Sequence, residues 1–132
     1  MKIVVGYVPT PEGLAAIDYA VTQATGDDSA RLVIVNSGVR GNDADPGFAS
    51  SADWDALDDR LTSLGIAHEL RQPLQAMSPA DEILTAATEV GADLIVIGLR
   101  RRSPVGKLFL GSSSQQIILD ADCPVVAVKR PA

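Results

Sequence analysis

The chain has 132 residues, 46% hydrophobic and 21% charged, which supplies a core and excludes the low-hydrophobicity composition of disordered chains. Its 17 acidic and 11 basic residues give a net charge of -6, which argues against an extended basic surface for nucleic acid. One cysteine, Cys123, rules out an internal disulfide and fits a reducing cytoplasm, and no apolar run approaches the roughly 18 residues of a membrane-spanning helix. The expectation is a single soluble, acidic, cytoplasmic domain over residues 1–132, without membrane or nucleic-acid partners.

The start, Met1-Lys2-Ile3-Val4-Val5-Gly6, enters an apolar strand at once and lacks the cleavage region of a signal peptide. That strand is expected over Ile3 to Val8. Thr10-Pro11 then opens a helix, with Thr as N-cap and Pro at the first position, which runs to about Thr25 and stops at Gly26. A second strand spans Leu32 to Val35. The stretch from Gly38 to Ala52, rich in Gly, Ser, Ala and Asp, reads as a mobile surface loop, followed by a helix from Asp53 through Leu64. Ala67 to Gln72 is polar or alternating, as suits a strand at a sheet edge. Ser78-Pro79-Ala80-Asp81 starts the clearest helix, close to a capping box, with Ile83, Leu84, Ala87 and Val90 as its apolar face and Gly91 as its stop. Leu94 to Gly98 is the next strand. A last helix begins near Ser112, carries Ile117, Ile118 and Leu119, and precedes the strand Val125 to Val128.

The strands are continuous Val/Ile runs rather than alternating ones, as in strands buried on both faces of a parallel sheet. Strict strand–helix alternation predicts an α/β fold: an open, doubly wound, five-stranded parallel sheet with helices on both faces, Rossmann-like. In such sheets ligands bind beyond the carboxyl ends of the strands, where strand order reverses. Two loops therefore matter most, Val8-Pro9-Thr10 after the first strand and the stretch beginning at Gly98.

From Gly98 to Gly111 lie four of the basic residues, Arg100, Arg101, Arg102 and Lys107, and no acid. Gly98 would let a ligand approach the backbone, and Gly111, Ser112 and Ser113 would offer backbone N–H groups and hydroxyls at a helix start. The cations would neutralise phosphate, with Arg supplying bidentate geometry. Two readings stand: an anion site, or glycines that merely end a strand and start a helix beside a solvated basic face. Gly106-Lys107 is not a P-loop, because the upstream glycine and the following Ser or Thr are missing.

The stretch resembles the nucleotide loop of the universal stress protein family, G-x2-G-x9-G-[S/T]. Gly98 matches the first glycine, nine residues from Arg102 to Leu110 lead to Gly111-Ser112, and Arg101 replaces the second glycine. The resemblance runs from Ile3-Val4-Val5-Gly6 through Ala92-Asp93-Leu94-Ile95-Val96-Ile97-Gly98 to Cys123-Pro124-Val125-Val126-Ala127-Val128-Lys129. It implies strand order 3-2-1-4-5, adenine nucleotide α-hydrolase-like. It also implies phosphates on Gly98, Arg101, Gly111, Ser112 and Ser113, with adenosine against Val8 to Thr10 and about Asn36-Ser37. ATP or another adenine nucleotide, with Mg²⁺ accompanying it, is the implied ligand, and Arg102 and Lys107 add charge. A homodimer through residues 125–129 is implied too, where an apolar strand would otherwise lie open at an edge.

Two departures hold open an alternative, a dimeric regulatory protein that binds no ATP: Arg101 stands where the family has glycine, and the loop after the first strand has no Asp. Glu12 could replace that acid or simply complement the helix dipole. A receiver domain is excluded because no acid lies between Lys2 and Glu12. Efficient hydrolysis lacks a nucleophile oriented by a base. His68, the one histidine, sits in the edge strand with no evident partner; Ser112 to Ser114 read as caps, Cys123 as a small buried residue, and Trp54 as an anchor for the second helix.

Overall fold

The computed structural model describes residues 1–36, 48–73, 77–99 and 110–130. Among the described residues nine elements alternate: β1 (Lys2–Tyr7), α1 (Pro11–Ala24), β2 (Arg31–Asn36), α2 (Ser51–Ser63), β3 (Ala67–Arg71), α3 (Pro79–Val90), β4 (Leu94–Leu99), α4 (Ser112–Asp120) and β5 (Val125–Lys129). The strands form one parallel sheet in the order β3-β2-β1-β4-β5, the expected order. The continuous apolar runs are buried on both faces: Ile3, Val4 and Val5 are fully enclosed, as are Leu32, Val33 and Ile34.

Alternation along each strand divides the core in two. On one face Ile3, Val5, Leu32, Ile34 and Val96 pack under α1 and α2. On the other Val4, Val33, Val35, Ile95 and Ile97 pack under α3 and α4. Edge strand β5 is half-buried, with Val126 and Val128 against the α1 side and Val125 and Ala127 against the α3–α4 side.

The helices start where local chemistry dictates, with one correction. Thr10 caps α1 by accepting from the Gly13 N–H at 3.3 Å, with Pro11 in the first turn. Ser78 caps α3 by accepting from the Asp81 N–H at 3.2 Å, and Gly91 ends it in the left-handed region at φ 66°. The complete capping box lies instead at α2: Ser50 accepts from the Asp53 N–H at 3.1 Å, and the Asp53 carboxylate accepts from the Ser50 N–H at 2.9 Å. Ser51 and Ala52, expected in a loop, are therefore helical. Of the rest of that expected loop, residues 48–50 lead into α2 with Ser50 as its N-cap, and residues 38–47 lie outside the described residues. On α3 the deepest side chains are Ala80, Ile83 and Ala86, while Leu84, Ala87 and Val90 pack at the margin of the core.

Candidate functional site at the carboxyl ends of β1 and β4

Two glycines let the chain close tightly around the carboxyl ends of the central strands. The Thr10 N–H donates to the Val8 carbonyl at 2.8 Å, so the loop after β1 doubles back at once. A β-carbon on Gly13 would then sit 1.8 Å from the Val8 oxygen, which only glycine avoids. Gly98 is just as constrained: a β-carbon there would lie 2.4 Å from the Glu12 carbonyl oxygen. The expected ligand-approach glycine is thus occupied on that side by the first turn of α1. Gly111 differs, for a β-carbon there would meet nothing within 4 Å.

Gly111 is the N-cap of α4, at φ -66° and ψ 165°, and among the described residues no side chain caps the helix. The first-turn N–H groups, which a Ser or Asp cap would engage, therefore carry the dipole's positive end outward. Ser113 and Ser114 line a cavity of about 90 Å³ together with Gly6, Val8, Glu12 and Gly98. That is well below the ~300–1,000 Å³ of pockets that enclose whole small molecules. It has room for one small polar group.

Of the sequence-derived site residues, Val8, Gly98 and Ser113 share this cavity. Gly111 and Ser112 stand at the start of α4. The Thr10 hydroxyl is committed to capping α1. Pro9 lies in the loop between β1 and α1. Ser37, Arg101, Arg102 and Lys107 lie outside the described residues. Glu12, read from sequence as an acid for the helix dipole, is buried at 7% exposure and lines the cavity. Its acidic type just after Thr10-Pro11 was the available signal.

Beside the cavity, Asn36 is 1% exposed and joins the ends of two strands to α2's approach. Its Nδ2 donates to the Tyr7 carbonyl at 2.9 Å, and its Oδ1 accepts from the Ala49 N–H at 3.2 Å. Tyr7 stacks at a tilt on Trp54, ring centroids 5.6 Å apart, and burial with Asp53 nearby pushes its hydroxyl above the usual range. Trp54 is the anchor expected for α2, its Nε1 donating to Gln72 Oε1 at 3.3 Å.

His68 has the partner that the sequence did not reveal: Nε2 lies 2.6 Å from Asp58 on α2. The contact joins two elements and no local pattern announces it. Cys123 is half-buried, and burial, with Asp122 and Asp93, pushes its thiol up, away from reactivity. Among the described residues no group of three or more His, Cys, Asp or Glu is placed to hold a metal ion, and no helix is long and apolar enough to cross a membrane.

The model of the universal stress protein family matches residues 1–129. A universal stress protein of Mycolicibacterium smegmatis is 39% identical over 127 residues, 96% of each chain. The solved structure of a universal stress protein from Archaeoglobus fulgidus superposes with a TM-score of 0.74 at 27% identity, covering 97% of both chains. A universal stress protein crystallised with cAMP superposes equally, at 0.74 and 27% identity, over 99% of this chain and 98% of that one. On sequence and architecture alike, the chain belongs to the universal stress protein family.

Proposed function

We propose that the protein is a stress-linked regulatory module of the cytoplasm that binds ATP or a related adenine nucleotide beyond the carboxyl ends of β1 and β4. The observation that carries this reading is the α4 start, a glycine N-cap that, among the described residues, has no side-chain cap and nothing within 4 Å of a β-carbon. Such a helix end offers N–H groups and a favourable dipole to an anion. A relative of the same fold is crystallised with cAMP, an adenine nucleotide. Phosphates sit at Gly111, Ser112 and Ser113, and Arg101, Arg102 and Lys107 add charge from the preceding stretch.

Glu12 shapes the arrangement. The 90 Å³ cavity, lined by Glu12 whose backbone abuts Gly98, is too small to enclose a polyphosphate, so the anion sits at its mouth. Any Mg²⁺ arrives with the nucleotide, held by its phosphates. The adenosine extends over Val8, Pro9 and Thr10 toward Ser37. Among the described residues none is placed at this site to activate water, and slow hydrolysis at most is part of the proposal.

Equilibrium dialysis with labelled ATP tests the proposal: saturable binding below millimolar nucleotide supports it, and none at millimolar sinks it. Arg101→Gly separates the alternative of a non-binding regulatory protein, which requires that binding appear only in the variant. A second copy is proposed to pair along β5, since a half-buried apolar edge strand is a pairing hazard when open. Light scattering that finds a monomer at micromolar concentration overturns that pairing.

A further inference from the structure

Edge strand β3 carries a groove beside α3. The helix lies over β1 and β2, and the sheet continues one strand further out, to β3. The step between helix and edge holds a cavity of about 530 Å³, within the ~300–1,000 Å³ range of small-molecule sites. Val35 and Ala86, both buried, are its deepest apolar lining, and Leu70, Pro73 and Met77 add to it. Glu82 and Glu89 from α3 and Arg71 from β3 supply its charges.

These polar groups are unequally provided for. Arg71 is committed: its guanidinium donates to Glu69 and, at 2.9 Å, to Glu89. Glu82 has no such partner. Its Oε1 is shut off from water and accepts from no donor among the described residues. Gln72 holds a second orphan. Its Oε1 accepts from Trp54 Nε1 at 3.3 Å, which fixes the amide's orientation and leaves Nε2 without an acceptor. Buried polar atoms without partners are rare in folded chains, and here two belong to the lining of one cavity.

The charges point to what would meet this demand. One cation, Arg71, stands against two carboxylates, so the groove's lining carries one net negative charge. Arg71 is already held by Glu69 and Glu89, which leaves Glu82 as the carboxylate without a counterion. Asp81 beside it and Glu89 two turns on repel its charge, and burial disfavours it further. A positively charged donor relieves all of these at once through a charge-assisted hydrogen bond. An anion would instead meet two carboxylates.

We propose that the groove between α3 and β3 is a binding site for a small monocationic amine with an apolar body, the ammonium donating to Glu82 and the body packing on Val35, Ala86 and Met77. The Met77 thioether is flexible enough to adapt to such a body. The site is separate from the cavity at the ends of β1 and β4. Pro79 and Ile83 line that cavity, whereas Glu82, Ala86 and Glu89 line the groove, so the body of α3 stands between the two.

Methyl NMR of protein labelled at methionine tests the assignment. Of the chain's two methionines, Met77 lines the groove, and Met1 precedes β1 at the other end of the sheet. Phenethylamine should move the Met77 signal saturably at millimolar concentration and leave Met1 in place. Phenethyl alcohol, a neutral analogue of the same size, should bind about tenfold more weakly for want of the charge-assisted hydrogen bond. Glu82→Gln keeps the side chain's shape and removes a charge that burial disfavours, so it folds. It should weaken the amine about tenfold and leave the alcohol and ATP unaffected. ATP should not displace the amine. Equal binding of amine and alcohol, undiminished amine binding in Glu82→Gln, displacement by ATP, or an unmoved Met77 methyl each overturns the proposal. An amine that binds where ATP does not upholds the groove and fails the nucleotide reading alone.

Discussion

Gly98 and Gly111 bracket one sequence motif, yet they stand in opposite surroundings. At Gly98 a β-carbon would collide with the Glu12 backbone at 2.4 Å, while at Gly111 it would meet nothing within 4 Å. The strand-end glycine is demanded by the packing of α1 on β4, and the helix-start glycine by no contact among the described residues. One glycine therefore belongs to the fold, and the other keeps the start of α4 uncapped. A stability measurement and a binding measurement should separate them, and substitutions can break or sharpen the contrast.

The largest effect is expected where the fold side of the contrast is tightest. Gly13→Ala would force a β-carbon to 1.8 Å from the Val8 oxygen and should cost about 3 kcal/mol in urea unfolding. Gly98→Ala, at 2.4 Å from backbone, should cost about 2 kcal/mol by the same assay. Near-wild-type stability for Gly98→Ala would erase the distinction. Ser50→Ala should cost about 1 kcal/mol, because it removes the hydroxyl that accepts from the Asp53 N–H and leaves only the backbone half of the α2 capping box. Gly111→Ser is the complementary change: it should raise stability by a few tenths of a kcal/mol by capping α4, and weaken nucleotide binding by occupying a first-turn N–H. Unchanged binding in that variant would detach the α4 start from the ligand.

The smallest effect concerns Glu82 in the first turn of α3. Burial, with Asp81 and Glu89 adding repulsion, holds its carboxyl above the usual carboxylate range. The folded chain thus binds that proton more tightly than the unfolded one, so ionisation costs stability as pH rises past ~4.3, the free glutamate value. Glu82→Gln should melt ~1 °C above wild type at neutral pH and level with it near pH 4.

The strands were legible because burial on both faces leaves unbroken Val/Ile runs, as in Leu32 to Val35 and Leu94 to Gly98. Resemblance, not periodicity, carried their order. The start of α2 was missed because Ser50 to Asp53 caps a helix within a stretch whose small polar residues also spell a loop. At the site, Gly98, Gly111 and the serines were legible as residue types, but the reason for Gly98 was not. Its neighbour Glu12 belongs to a helix in the other half of the chain, and only the β1–β4 pairing brings them together. The Asp58–His68 contact was hidden for the same reason, since it depends on how α2 crosses β3.

The most direct measurement is an amide NMR titration with ATP and with cAMP. Saturable shifts concentrated at Gly111, Ser112 and Ser113, complete below millimolar nucleotide, are predicted. Amides at the start of α4 that stay unmoved at millimolar nucleotide, or shifts confined to other parts of the sheet, would contradict the assignment.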